Sequence, residues 1–282
     1  MVQPLVVHSD DELAAVLGGE LVNREPIRDW PLSLTERVEL SDGRRYAYKS
    51  TLPPLIEPEF YAAAKSPLLP GHRYLGRLAG CSTMVIDWID APSVGELSVD
   101  HDQLRRHGEA VLDQLGRLSR GLPVCLDVGS PHLWTAEVAR TLDKLRRLIM
   151  DGRFTEPGPE VINAIADWTS SAPVIDKIAT ESRVVHRDLK PEHILLGEDG
   201  YRVIDWQHPA VAPARTDLVW LLAHGGVDAF PYVDPADYGI AHFLHLRWAV
   251  VAAHDFFPEF TAPIFQDWAT EGATGILRAA GS

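Results

Sequence analysis

The run from Val184 to Trp206, V-V-H-R-D-L-K-P-E-H-I-L-L-G-E-D-G-Y-R-V-I-D-W, constrains the fold of this chain more than any other stretch. Two apolar runs, Ile194 to Leu196 and Tyr201 to Ile204, flank a Gly197-Glu198-Asp199-Gly200 turn, the signals of a short β-hairpin. Asp188 sits in the loop before the first strand, and Asp205 ends the second. A hairpin of this length brings the two carboxylates back towards each other on one side of a cleft. Phosphoryl transfer from a nucleotide needs that geometry, with one carboxylate orienting the attacking hydroxyl and the other holding a metal on the phosphates.

His186-Arg187-Asp188-Leu189-Lys190-Pro191-Glu192-His193 resembles the catalytic loop of the protein-kinase-like superfamily, whose pattern is H-R-D-L-x-x-x-N. Ile204-Asp205-Trp206 resembles the metal-binding Asp motif in the form common to the aminoglycoside and choline phosphotransferase branch. Arg215-Thr216-Asp217-Leu218 resembles the segment by which that branch anchors its catalytic loop. Protein kinases insert a long activation segment and an A-P-E motif after the metal Asp. Here Asp217 and the apolar run Leu218 to Leu222 follow soon after Asp205, and no A-P-E is present. The resemblance therefore implies a small-molecule acceptor rather than a protein.

The resemblance also implies an α+β, bilobal protein-kinase-like fold. Residues 1–90 would form a small antiparallel-sheet nucleotide-binding lobe, with a hinge at about 84–91. Residues 91–282 would form a larger, mainly helical lobe carrying the catalytic loop, metal site and acceptor pocket. Within the first lobe, Ser9 and Glu12 form a capping-box pattern ahead of a short helix through Leu13 to Leu17. Strands are expected over Leu21 to Ile27, Thr35 to Leu40 and Arg44 to Lys49, with Ser41-Asp42-Gly43 as a hairpin turn. Lys49 ends the strand that resembles the one carrying the phosphate-binding lysine. The next helix, Pro54 to Lys65, offers Glu57 and Glu59 as its partner. Residues two apart do not share a helix face, and Glu57-x-x-Phe60-Tyr61 favours Glu57. The connection Arg28 to Leu34 lacks the glycines of a kinase phosphate loop, so it is either a plain loop or one in which Ser33 and nearby N–H groups hold phosphates. After strands at Tyr74 to Leu78 and Thr83 to Ile86, Asp87-Trp88-Ile89 falls at the hinge, where the base is read.

Beyond Pro92 the period becomes helical. Leu104, Val111, Leu115, Leu118 and Leu122 make one stripe, Val138, Leu142, Leu145 and Leu148 a second, and Val161, Ile162, Ile165 and Trp168 a third. Further helices are expected through about Ala223, from Asp234 to His254 and from Ala262 to Leu277. They carry Asp228, Asp234, Asp237, Asp255, Glu259, Asp267 and Glu271 among Trp248, Phe256 and Phe257. These carboxylates either line a pocket for a cationic or sugar-like acceptor or form ordinary solvated faces. His208, His224, His242, His245 and His254 show no metal-motif spacing and read as core or surface histidines.

Composition narrows the partners. A formal charge of −14 argues against nucleic acid, which wants clustered Lys and Arg, and suits a cationic small molecule. No apolar run reaches the roughly 20 residues of a membrane span. With the two cysteines, Cys81 and Cys125, read as reduced thiols, a cytoplasmic location is expected. Neither composition nor motif specifies an oligomeric state.

On this reading ATP (or GTP) is used with Mg²⁺, or with Mn²⁺. Asp188 is the base, Lys190 meets the γ-phosphate, and Lys49 with Glu57 holds the α- and β-phosphates. Asp205 holds the metal, and His186 and Asp217 support the loop. His193 departs from the pattern, because the family has an oxygen ligand there. Mg²⁺ prefers oxygen, whereas imidazole suits Mn²⁺ or Zn²⁺. His193 either binds a different metal, binds through water, or turns away. The alternative function follows from it: a nucleotide-binding or inactive pseudokinase with a regulatory or binding role.

Overall fold

A computed structural model of the protein describes residues 4–119, 121–257 and 263–281. Its contacts divide it into two units. The first holds residues up to Asp100 together with Arg117–Leu126 and Lys190–Pro209; the second holds His101–Gly116, Asp127–Leu189 and Ala210 onward.

The first unit begins with α1 (Asp10–Leu17), where Ser9 and Glu12 form the expected capping box and Gly18 closes the helix at φ +67°. Its body is an antiparallel five-stranded sheet in the order β1-β2-β3-β5-β4. The strands are β1 (Leu21–Trp30), β2 (Ser33–Leu40), β3 (Arg45–Thr51), β4 (His72–Leu78) and β5 (Cys81–Asp87). Leu13 and Leu17 of α1 pack with Val38, Leu40, Tyr48 and Val85 to cover one face. The first strand runs past its expected end at Ile27, on through Arg28 to Trp30, and only Pro31 and Leu32 separate it from β2. Pro26 is tolerated because β1 is an edge strand, and a proline there interrupts no central ladder. Between β3 and β4 lies α2 (Glu57–Ala63), shorter than the expected helix. A helix starting at Pro54 would put Pro58 in its second turn, where it has no N–H for the carbonyl four residues back; starting at Glu57 leaves Pro58 in the first turn, where proline is tolerated.

The hairpin of β8 (Ile194–Gly197) and β9 (Gly200–Val203) forms as expected, with Ile194 opposite Val203. It packs with the first unit rather than with the helices. Val94 N–H donates to Ile194 O at 2.8 Å, Leu196 N–H to Pro92 O at 3.0 Å, and Val203 N–H to Leu68 O at 2.7 Å. Main-chain pairing of this kind leaves little slack, which is why contacts do not divide the chain with a single cut near residue 90.

The second unit is helical: α3 (His101–Leu115), α4 (Pro131–Met150), α5 (Pro159–Thr169), α6 (Ala172–Glu181), α7 (Thr216–His224), α8 (Pro235–Val251) and α9 (Pro263–Ala280). Of the expected stripes, Val138, Leu142, Leu145 and Leu148 of α4 and Ile162 and Ile165 of α5 are buried. The first stripe is cut short: α3 buries Leu104, Val111 and Leu115 but ends before Gly116, a poor helix former, so Leu118 and Leu122 do not continue it and belong to the first unit. Trp134 of α4 is fully buried, donates Nε1–H to Thr169 O at 2.9 Å and meets Phe243 of α8 edge-on at 4.8 Å. Close approach of α8 and α9 depends on Gly272 and Gly275, since a Cβ on Gly275 would lie 2.1 Å from the His242 ring. Two short strands, β7 (Ser182–Val185) and β10 (Ala210–Pro213), pair antiparallel on either side of the catalytic-loop sequence. The brief β6 (Leu126–Asp127) lies at the changeover between units. Ala262, the expected start of the last helix, and Glu259 lie outside the described residues. Among the described residues no helix is long and apolar enough to cross a membrane.

Candidate active site

A slot of about 380 Å³ opens within the first unit, a volume suited to a small ligand. Alternation along β3 places Ala47 and Lys49 in the slot, while Tyr48 between them points into the core under α1. Ile86, Asp87, Trp88 and Ile89 at the end of β5 form one side. From the hairpin come His193, Leu195, Ile204 and Asp205. The result is a largely apolar passage lined by Ile27, Ala47, Ile86, Leu195 and Ile204, with Arg28, Lys49, His193 and Asp205 grouped together on its lining.

Those charges centre on Asp205. Lys49 Nζ lies 2.7 and 2.8 Å from the two Glu57 oxygens and 2.8 Å from Asp205 Oδ1, with all three side chains buried. Gln207 Nε2 donates to the same Oδ1 at 2.9 Å, while Arg28 Nη1 reaches Oδ2 at 2.9 Å and His193 Nε2 lies 3.5 Å from it. Burial by itself would raise the Asp205 pKa, but Lys49, His193 and Arg28 outweigh it and hold the carboxyl well below its usual range. Burial would likewise depress Lys49, and Asp205 and Glu57 together keep it above the usual lysine value. Both groups are thus charged at neutral pH. Burial pushes Glu57 up from the usual carboxyl range, while Lys49 pulls it down. Asp205 holds φ +68°, a left-handed conformation that a short acid reaches more readily than most side chains and that sets its carboxylate at the hairpin's end.

Glu57 is the lysine partner, as its place in the sequence implies. Glu59 instead accepts from Ser82 Oγ at 2.5 Å. Ser33 stands in β2, buried, where its Oγ accepts from Gln207 Nε2 at 3.4 Å; it does not line the slot. The expected loop around it is absent because β1 and β2 continue almost to their turn. At the hinge positions, Asp87 N–H donates to Gly71 O at 2.7 Å and Trp88 N–H to Arg45 O at 3.0 Å.

In the second unit, the loop bearing Asp188 is held from below. The buried Asp217 carboxylate accepts the N–H groups of His186 at 2.7 Å and Arg187 at 2.8 Å. Burial pushes Asp217 up to about 6 against the pull of those two donors. His186, fully buried, turns Nδ1 to the Asp188 N–H at 3.3 Å. Arg187 takes φ +67°, and Leu189 is fully buried. Asp188 is thereby left half-buried on a backbone fixed on both sides of it. Lys190, in the first unit, precedes the short turn Pro191–His193.

The described acids after Asp217 are mostly engaged locally. Asp228 pairs with Arg278, Asp234 caps α8, Asp237 lies 3.4 Å from Lys177, and Asp255 pairs with Lys144. His242 is buried and pushed down to about 4 by that burial, a core histidine as expected. Arg28 and Gln207 escaped the sequence reading. Gln207 follows the I-D-W motif directly, a signal available in the sequence; Arg28 carried none.

The sequence matches the model of the phosphotransferase enzyme family (APH) over residues 59–254. The chain belongs to that family. No curated protein sequence matches it. Among solved structures, a thermostable mutant of aminoglycoside phosphotransferase APH(4)-Ia, in a ternary complex with ADP and hygromycin B, is similar at TM-score 0.64 and 12% identity, covering 98% of this chain and all of that one. The macrolide 2′-phosphotransferase MphH of Brachybacterium faecium is similar at TM-score 0.60 and 15% identity, over 93% of this chain and 95% of that one. A choline kinase from Cryptosporidium parvum Iowa II is similar at TM-score 0.57 and 12% identity, over 92% and 89%. The fold is therefore the α+β protein-kinase-like fold of small-molecule phosphotransferases.

Proposed function

We propose that this phosphotransferase moves the γ-phosphoryl group of ATP (or GTP) to a hydroxyl of a small organic acceptor, aminoglycoside-like or an amine or metabolite alcohol. The observation that carries the proposal is the Lys49–Glu57–Asp205 constellation at a largely apolar slot. The purine fills the passage between Ala47, Ile86, Leu195 and Ile204. It also covers Ile27, which is otherwise 53% exposed. The main chain at Asp87, Trp88 and Ile89 lies along the base.

The donor set fits a divalent cation. Asp205 is a buried carboxylate kept ionised by its surroundings, and the His193 imidazole stands 3.5 Å from it. Asp205 and His193 would hold Mg²⁺ or Mn²⁺, and the imidazole weights the choice towards Mn²⁺. Such an ion supplies charge neutralisation on the phosphates. Lys49, steered by Glu57, binds the α- and β-phosphate oxygens, and Lys190 binds the γ-phosphate. Asp188 orients the acceptor hydroxyl and takes its proton. The acceptor oxygen forms the new bond to phosphorus, the bond to the β–γ bridging oxygen breaks, and the nucleoside diphosphate leaves with that electron pair. The formal charge of −14 favours a cationic acceptor.

The test is formation of nucleoside diphosphate over a panel of aminoglycosides, macrolides and amino alcohols, with the phosphorylated product identified by mass. For an acceptor found this way, Asp188→Asn should lower kcat by about 10²- to 10⁴-fold with little change in nucleotide affinity. Equal turnover by Asp188→Asn and wild type would remove Asp188 from the reaction.

A further inference from the structure

Consecutive residues of a strand point to opposite faces, yet Ile27 and Arg28 both line the slot. The pairing of β1 with β2 shows how. Pro26 stands opposite Glu36 and Arg28 opposite Thr35, so Ile27 is an extra residue, a bulge in the edge strand. Bulges re-aim side chains and occur beside active sites. This one sends Arg28 across the slot to Asp205, 177 positions away in sequence, at 2.9 Å.

The contact conflicts with the role proposed for Asp205. Oδ1 is already occupied by Lys49 and Gln207, so the side left for a metal is Oδ2, which is shared by Arg28 and His193. A divalent cation cannot share that oxygen with a guanidinium without strong like-charge repulsion. The Arg28 side chain is 46% exposed and hangs from the edge of the sheet, so it can leave without disturbing the core. Phosphate groups arriving in the slot would offer it a better, bidentate partner.

Resting on the reading of the slot as a nucleotide site, we infer that Arg28 is a phosphate-binding residue that occupies Asp205 until nucleotide and metal enter. It then moves from the carboxylate to the phosphates. Arg28 thus takes the part of the glycine-rich phosphate cradle that this chain lacks, and it keeps Asp205 from holding a metal without a nucleotide.

Two binding measurements by titration calorimetry separate these functions: Mn²⁺ alone, and ADP against adenosine in EDTA. Arg28→Ala should bind Mn²⁺ alone about tenfold more tightly, since a competing cation is gone, and ADP about tenfold more weakly, with adenosine within about twofold of wild type. Arg28→Lys, which keeps the charge, should bind Mn²⁺ alone within about twofold of wild type. General damage to the slot would weaken all the ligands together and would overturn the inference, as would unchanged affinities for both Mn²⁺ and ADP. If wild type binds ADP with the expected affinity and the variants do not separate, only the role of Arg28 fails. If wild type binds neither ADP nor adenosine, the nucleotide reading fails and the inference falls with it.

Discussion

Asp205 joins the backbone and the chemistry of the site. Its φ of +68° is accessible to Asp and Asn at modest cost but strained for alanine, so Asn is the substitution that removes the charge and leaves the hairpin in place. A different buried acid, away from the site, gives a pH response of its own. Asp237 lies fully buried in α8, and that burial, reinforced by Glu181 and Asp234, raises it to about 6 although Lys177 pulls the other way. Because its folded pKa exceeds the ordinary 3.8, the folded protein holds the proton longer than the unfolded chain. Stability from this group is present at low pH and is lost as pH rises through about 6. Asp237→Asn mimics the protonated form and should not show that loss. Between pH 5 and pH 7 the stability of the variant relative to wild type should therefore rise by roughly 1 kcal/mol, read from thermal melts. A constant difference across that range would show that Asp237 titrates normally.

At the scale of elements, the helix α2 must present Glu57 accurately to Lys49 from outside the sheet. Phe60 of α2 stacks on Trp206 at 4.5 Å and 16°, and the Trp206 ring, fully buried, donates to Val203 O at 3.0 Å. The Trp206 backbone N–H also serves the Glu57 carboxylate. One residue therefore couples hairpin, helix and glutamate. Trp206→Ala should cost about 3–5 kcal/mol in urea unfolding and weaken ADP binding as Glu57 loosens. A loss below about 1 kcal/mol would mean that the stack does not anchor α2. Much of this level was legible in the sequence. The two apolar runs around the Gly197–Gly200 turn, the capping box of α1 and the E-x-x-F-Y spacing each gave an element or a partner correctly. Four-residue strands such as Ala210–Pro213 were not legible, because all four side chains are buried and no alternation is left to read. The bulge at Ile27 was equally hidden, since it depends on how β1 registers with β2. With it went Arg28, whose importance comes from a partner distant in sequence.

On the scale of the whole molecule, the chain is two units whose contacts interleave in sequence, with segments 117–126 and 190–209 joining the first. The catalytic-loop sequence spans the changeover: Asp188 belongs to the helical unit and Lys190 to the sheet unit. The slot, Lys49, Glu57, His193 and Asp205 all belong to the sheet unit, so the proposed binding of metal and nucleotide there can be tested without knowing the acceptor. The most direct measurement is calorimetric titration of ADP into wild type and Asp205→Asn, each with EDTA, Mg²⁺ and Mn²⁺. The wild type should bind ADP at least about tenfold more tightly with a divalent cation than without, as expected for a carboxylate and phosphates sharing one ion. Asp205→Asn should lose that enhancement and still bind adenosine. Wild-type protein that binds no ADP under any of the three conditions, or an Asp205→Asn variant with the full metal enhancement, would contradict this account of the site.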